Sequence, residues 1–195
     1  LINYFSKLKD EYISPADYAA YASGLPETDH PAQAEIREKQ MELAYAYKAY
    51  QDLLMENNAM DFGDLVYHTL QLFEKRSSVL LEYQKRFQYL MVDEFQDTNY
   101  AQTRLVLMLA RKSGNLVVVG DDDQSIYRWR GASLSNIVEF EKMFGDAEKV
   151  VLTENYRSRQ EILDASYALI QKNNPDRLEF RENISKKLVA RSYPA

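Results

Sequence analysis

Apolar positions along this chain change rhythm near residue 60, and the change divides the sequence in two. Before that point they recur at helical spacing, with no convincing strand. "ISPADYAAYA" offers Ser14 as an N-cap and Pro15 at the first helical position, where a missing N–H costs nothing. "GLPETDHP" has the Gly, Pro and Asp content of a loop. From Ala32 to about Asn57 one long helix is predicted, with Ile36, Leu43, Tyr47, Tyr50 and Leu54 along one stripe. Beyond Met60, helices are predicted at Asp61–Lys75 and Val79–Arg86, and then β-type runs begin to alternate with helical ones. The runs are Tyr89–Val92, Leu116–Val119 and Val150–Leu152; the helical patterns are Tyr100–Lys112, Leu134–Phe144 and Arg159–Lys172. Leu90, Met91 and Val92 do not alternate with polar residues, so this strand is expected to be covered on both faces. Strands alternating with helices of this length indicate βαβ units. The expected class is α/β, a parallel sheet flanked by helices, with an all-helical N-terminal part. The closing stretch "NPDRLEFRENISKKLVARSYPA" is polar and reads as a tail or a chain cut short.

The strand ends are where this pattern becomes unusual. "YLMVDEFQDTN" drives apolar residues to a point and then places three acids and an amide on the next five positions. The second run ends in "GDDDQ", Gly120 to Gln124. In open parallel sheets ligands bind outside the carboxyl ends of the strands, so parallel pairing would bring both acid clusters to one edge. One acid can hold Mg²⁺, which prefers oxygen ligands, and a neighbour can orient or deprotonate an attacking water. Acids also follow strands simply as caps and turn residues, and a lone "DE" is more often that.

"GDDDQSIYRWRGA" (120–132) is harder to dismiss. Tyr127 and Trp129, the one Trp of the chain, are interleaved with Arg128 and Arg130. Bases of single-stranded nucleic acid stack on such rings while guanidinium groups meet phosphates. A core aromatic pair beside surface charges satisfies the same composition equally well. "LTENYRS", after the third run, carries Tyr156 and Arg157; alone, it signifies little.

Composition narrows the classes without choosing one. The 195 residues, 46% of them hydrophobic, suffice for a packed core, either one domain or a domain with a subdomain. Without cysteine there is no disulfide scaffold and no thiolate metal site, which suits a reducing cytoplasm. No apolar run approaches the roughly 20 residues of a membrane span, and no signal peptide opens the chain, which begins at Leu1. His30 and His68 lack ligand-like spacing and are read as structural. The net charge of −6 argues against nucleic-acid capture by bulk charge, although stacking with a few phosphate contacts needs no basic surface overall.

Taken in order, the segments resemble the UvrD/Rep/PcrA family of superfamily 1 DNA helicases. "MDFGDLV" (60–66) is similar to the short motif before the family's Walker B strand, and "LMVDEFQDTNYAQ" (90–102) to Walker B itself. "VVVGDDDQSIYRWRGA" (117–132) resembles motif III and "VVLTENYRS" (150–158) motif IV. Residues 1–60 look similar to part of the helical 1B insertion, 61–155 to the second half of a RecA-like P-loop motor domain 1A, and 156–195 to the start of motor domain 2A. The resemblance implies ATP and Mg²⁺ as cofactors and single-stranded and duplex DNA as partners, with no membrane. It implies 3′-to-5′ translocation coupled to ATP hydrolysis and strand separation, in the cytoplasm. By the same resemblance Asp93 would hold Mg²⁺, Glu94 would activate the hydrolytic water, and Gln96 and Asp97 would link nucleotide state to the second motor domain. Gln124 would sense the γ-phosphate, Arg130 and Arg157 would approach it, and Tyr156 would stack on adenine. Tyr127, Arg128 and Trp129 would meet DNA.

One departure bears on activity. None of the six glycines precedes a lysine, so the phosphate cradle G-x-x-x-x-G-K-[ST] is absent from these residues. The chain therefore reads as an internal helicase fragment, inactive alone, with an exposed sheet edge through which copies would associate. Two other readings are a natural non-catalytic DNA-binding module and a piece of an AddA/RecB-type helicase-nuclease.

Overall fold

The computed structural model describes residues 1–125, 140, 144, 145 and 147–191. Its N-terminal part is helical, as the spacing predicts. Helix α1 (Ile2–Asp10) leads to α2 (Pro15–Ser23) and the long α3 (Pro31–Glu56). Ser14 closes a capping box on α2: its Oγ accepts the Asp17 N–H at 3.0 Å and its own N–H reaches the Asp17 carboxylate at 3.0 Å. The three helices enclose a core of Phe5, Leu8, Tyr18, Ala22, Ala44 and Tyr47, with the rings of Phe5 and Tyr47 stacked 5.0 Å apart. In the stripe expected on α3, Tyr47 is buried and Leu43, Tyr50 and Leu54 are half-buried. Ile36, in the first turns of α3, is exposed.

Helices α4 (Phe62–Lys75), α5 (Ser77–Arg86) and α6 (Tyr100–Ala110) follow, with α4 packed on α1, α5 and α6. Asp61 and Asp64 form a capping box at the start of α4. They also receive the buried Lys9 ammonium, at 2.7 and 2.8 Å respectively. The acids of "MDFGDLV" thus join α1 to α4. Asn99 caps α6 and reaches back to α1, its Nδ2 donating to Asp10 Oδ1 at 2.8 Å.

Burial, with Glu11 and Asp61 nearby, raises the Asp10 carboxyl from its ordinary 3.8 to about 6. The folded chain binds the Asp10 proton more tightly than the unfolded chain, so this contribution is full below pH 3.8 and is lost as pH rises through 6. Asp10→Asn keeps the acceptor for Asn99 and removes the charge. It is expected to be more stable than the parent at pH 7, with the advantage vanishing below pH 4, in urea unfolding at both pH values.

Strands β1 (Leu90–Val92) and β2 (Leu116–Val118) pair in parallel, in register Leu90↔Leu116, Met91↔Val117 and Val92↔Val118. The parallel sheet is therefore present, but two expectations about it need correction. The first strand is not covered on both faces. Leu90, Val92, Leu116 and Val118 are half-buried, whereas Met91 is 80% exposed and Val117 stands out beside it. Only one side of this short sheet is packed, so non-alternating apolar residues do not here mark a strand buried on both faces. Second, Val150–Leu152 is not a strand, and its side chains are exposed. A strand exists only through a ladder, and the ladder forms just after this run: β3 (Glu154–Asn155) pairs in parallel with β4 (Val189–Ala190). The result is two separate two-stranded sheets among the described residues. Helix α7 (Gln160–Ile170) and the short α8 (Leu178–Arg181) lie between β3 and β4. The expected helix at Leu134–Phe144 falls mostly outside the described residues. Among the described residues no helix is long and apolar enough to cross a membrane.

Candidate active site

Parallel pairing of β1 and β2 sends both strands out at the same edge, and the two acid clusters meet there. Past the strands the ladder continues: the Val119 N–H donates to Val92 O at 2.8 Å and the Phe95 N–H to Val119 O at 2.9 Å. Asp93 and Glu94 are exposed at this tip. Asp93 Oδ1 accepts the Glu94 N–H at 2.9 Å. Glu94 itself sits at φ 49°, ψ 41°, in the left-handed region. For a residue with a side chain this costs about 1–3 kcal/mol and is concentrated at functional sites. Its effect is to break the strand and start a 3₁₀ turn, Phe95–Asp97, which buries Phe95 and Gln96 while leaving both carboxylates facing out.

Gln96 is the hinge pin of the arrangement. Its Oε1 accepts the Asp121 N–H at 3.0 Å, and its Nε2 donates to Glu94 Oε2 at 2.7 Å. The amide orientation is dictated by its partners, since a backbone N–H only donates and a carboxylate only accepts. Gly120 permits the approach: a Cβ there would lie 2.8 Å from Gln96 Oε1 and 3.3 Å from the Gln96 N. Asp97 lies alongside with a buried Oδ1 that has no hydrogen-bond partner.

From β2 the path runs on through a second 3₁₀ turn, Asp122–Gln124. Gln124 Nε2 donates to Asp121 Oδ2 at 2.8 Å. The carboxylates of Asp121, Asp122 and Asp123 come within 4.8 Å of one another, as a cation site would require. The cation among them is the chain's own. Lys186 Nζ stands 2.6 Å from Asp121 Oδ1 and 3.0 Å from Asp123 Oδ2, and also bonds Asp122 Oδ1. Arg177 grips Asp123 with two 2.6 Å bonds from Nε and Nη2, and the Leu178 N–H donates to Asp122 Oδ2 at 2.8 Å. Burial disfavours the Lys186 charge, yet Asp121 and Asp122 hold it above the usual lysine range. Burial likewise raises Asp123, but Arg177 and Lys186 outweigh it and bring the carboxyl below the usual range.

Lys186 and Arg177 were not among the residues the sequence singled out, and both lie in the stretch read as a tail. The available signal was cationic: "DRLEF" and "SKKL" bring isolated positive charge to a chain with three consecutive acids elsewhere. Nothing local could pair them, since the partners are more than 50 residues apart.

The structure brings Asp93, Glu94, Gln96, Asp97 and Gln124 to one sheet edge. Tyr156 and Arg157 lie on the other sheet's side, in the turn that follows β3. Both are exposed; the Tyr156 hydroxyl donates to Glu154 Oε2 at 2.5 Å and the Arg157 N–H to Asn155 Oδ1 at 3.0 Å. Tyr127, Arg128, Trp129 and Arg130 lie outside the described residues. The exposed oxygens of Asp93 and Glu94 form a donor set suited to Mg²⁺ with water completing its shell. The Asp121–Asp123 cluster does not, because an ammonium already fills it.

Residues 1–145 match the family model described as the UvrD/REP helicase N-terminal domain. Among curated proteins, the chain is 44% identical over 188 residues to the ATP-dependent DNA helicase PcrA of Leuconostoc citreum, covering 96% of this chain and 22% of that protein. To the protein of the same name from Staphylococcus aureus it is 47% identical over 176 residues, 90% of this chain and again 22% of the relative. The chain thus spans about a fifth of the length of the curated relatives it matches.

Proposed function

This chain belongs to the UvrD/REP helicase family, and we propose that it forms the part of an ATP-dependent DNA helicase motor that hydrolyses the nucleotide and senses its γ-phosphate. The observation that carries this reading is the hydrogen-bonded path Glu94–Gln96–Asp121–Gln124 across the tips of two parallel strands. A structural turn needs no exposed carboxylate pair with its second member, Glu94, held in the left-handed region. A site that must aim a base at a water beside a triphosphate does.

In this reading residues 61–155 form the second half of a RecA-like P-loop motor domain 1A, residues 1–60 part of a helical 1B-type insertion, and 156–195 the start of 2A. Asp93 holds Mg²⁺, which when bound neutralises charge on the phosphates. Glu94 takes the proton of the attacking water, and Gln96 orients Glu94. Gln124 sits where loss of the γ-phosphate can be felt at Asp121. Arg157 and Arg130 complete the charge around the phosphates, and Tyr156 packs on the base. Tyr127, Arg128 and Trp129 bind single-stranded DNA. Hydrolysis drives 3′-to-5′ translocation and strand separation, and the 195 residues alone, lacking the phosphate cradle, do not turn over ATP.

The test uses a full-length protein carrying this segment. It is expected to hydrolyse ATP only with Mg²⁺, and faster with single-stranded DNA. Trp129→Ala should weaken single-strand binding by about 1–3 kcal/mol in a fluorescence titration, the value of one base–aromatic stack. Unchanged DNA affinity in that variant would remove Trp129 from the DNA surface, and absence of DNA-stimulated turnover in the parent would overturn the helicase reading.

A further inference from the structure

The contacts of Lys186 reach further than neutralising three acids. Asp121 stands at a junction: its Oδ1 takes the Lys186 ammonium at 2.6 Å, its Oδ2 takes the Gln124 amide at 2.8 Å, and its N–H goes to Gln96 Oε1 at 3.0 Å. Gln96 in turn holds Glu94 Oε2. Turning the Asp121 carboxylate disturbs the Gln124 amide directly, and a backbone shift that accompanies it disturbs Gln96, which holds the Asp121 N–H. Lys186 is anchored four residues before β4 ends, and β4 pairs with β3, which runs into Tyr156 and Arg157. Arg177, 4% exposed and bidentate on Asp123, keeps the same turn from following Lys186 alone.

We propose that Lys186, steadied by Arg177, is a positioning residue that orients Glu94 and Gln124 through Asp121 and Gln96, so that the segment carrying Tyr156 and Arg157 sets the geometry of hydrolysis. This rests on the reading of Glu94 as the base and Gln124 as the γ-phosphate sensor. Lys186 acts by fixing Asp121, whose carboxylate takes the Gln124 amide and whose backbone N–H goes to Gln96. The neighbouring Lys187, 58% exposed and 3.9 Å from Asp164, has no part in the path.

The experiment is steady-state, DNA-stimulated ATP hydrolysis by a full-length protein carrying this segment, with Lys186→Met, Lys186→Arg, Lys187→Met, Gln96→Leu and the Lys186→Met/Gln96→Leu double variant. Lys186→Met is expected to lower kcat about 10- to 100-fold, the cost of a small misplacement at a reacting centre. KM for ATP and affinity for single-stranded DNA should be unchanged. Lys186→Arg should restore much of the rate and Lys187→Met should leave it intact. With Gln96→Leu already present, Lys186→Met should cost little more, because the path is broken once. Parental kcat in Lys186→Met, or additive losses in the double variant, would overturn the relay while leaving the helicase reading standing. An inactive parent would overturn the helicase reading itself. Should Lys186→Met not fold, Asp121→Asn keeps the acceptor for Gln124 and drops the attraction to Lys186, and the same two readings of kcat and additivity decide.

Discussion

Glu94→Gln is expected to lower DNA-stimulated ATP turnover in a full-length protein carrying this segment by about 10²–10⁴-fold, the usual contribution of a general base. Nucleotide binding should be spared. The substitution is close to isosteric, and the surroundings favour its retention: Gln96 Nε2, 2.7 Å from Glu94 Oε2, can donate equally to an amide oxygen. The left-handed backbone at position 94 is unaffected by the exchange of a terminal oxygen for a nitrogen. What disappears is the capacity to take a proton. Turnover and binding of a fluorescent ATP analogue, measured side by side, separate the two effects. Lost turnover with retained binding places the proton transfer at Glu94. Parental turnover would remove Glu94 from that role and leave its strained conformation without a chemical reason.

How far could this have been read from the residues? The helical part was legible because its signals are local. Ser14–Asp17, Asp61–Asp64 and Asn99–Gln102 each close a capping box within three residues, and the helices begin within a residue or two of where the pattern places them. The convergence of "DEFQD" and "GDDDQ" was also legible, since it needs only that two adjacent strands run parallel. Three features were not. Whether Met91 is covered depends on what packs against the outer face, and strand composition is silent on that. Whether Val150–Leu152 or Glu154–Asn155 forms the strand depends on a partner, β4, more than 30 residues later. The pairing of Lys186 and Arg177 with the Asp121–Asp123 turn spans a still longer separation, and both cations sit in a stretch whose own pattern is that of a loop. Long-range ionic partners leave no periodic trace.

The second large effect lies in stability and concerns Lys9. Its side chain is 1% exposed and its ammonium is shared between Asp61 at 2.7 Å and Asp64 at 2.8 Å, the latter wholly buried. Gln51 Nε2 donates to Asp64 Oδ1 at 2.9 Å and the Tyr50 hydroxyl to Asp61 Oδ2 at 3.0 Å, so α1, α3 and α4 all meet at these two carboxylates. Lys9→Met keeps the stem's volume and removes the charge. Breaking a buried pair on one side costs about 3–5 kcal/mol, because the remaining carboxylates lose their compensation. Against the roughly 5–15 kcal/mol of a typical domain, that is a large fraction. In urea unfolding the midpoint should fall accordingly. A partial recovery is expected when Asp64→Asn is added, which no simple loss of packing would produce. Acid gives an independent check. Burial raises Asp61, but Lys9, the Asp64 N–H and Tyr50 outweigh it and hold the carboxyl below its ordinary 3.8. That contribution is present above pH 3.8 and is lost as pH falls further, so the gap between parent and Lys9→Met should narrow in acid. A gap that stays constant from pH 7 to pH 3 would mean that Lys9 acts through its methylene stem, and that the acids of "MDFGDLV" serve α4 only as caps.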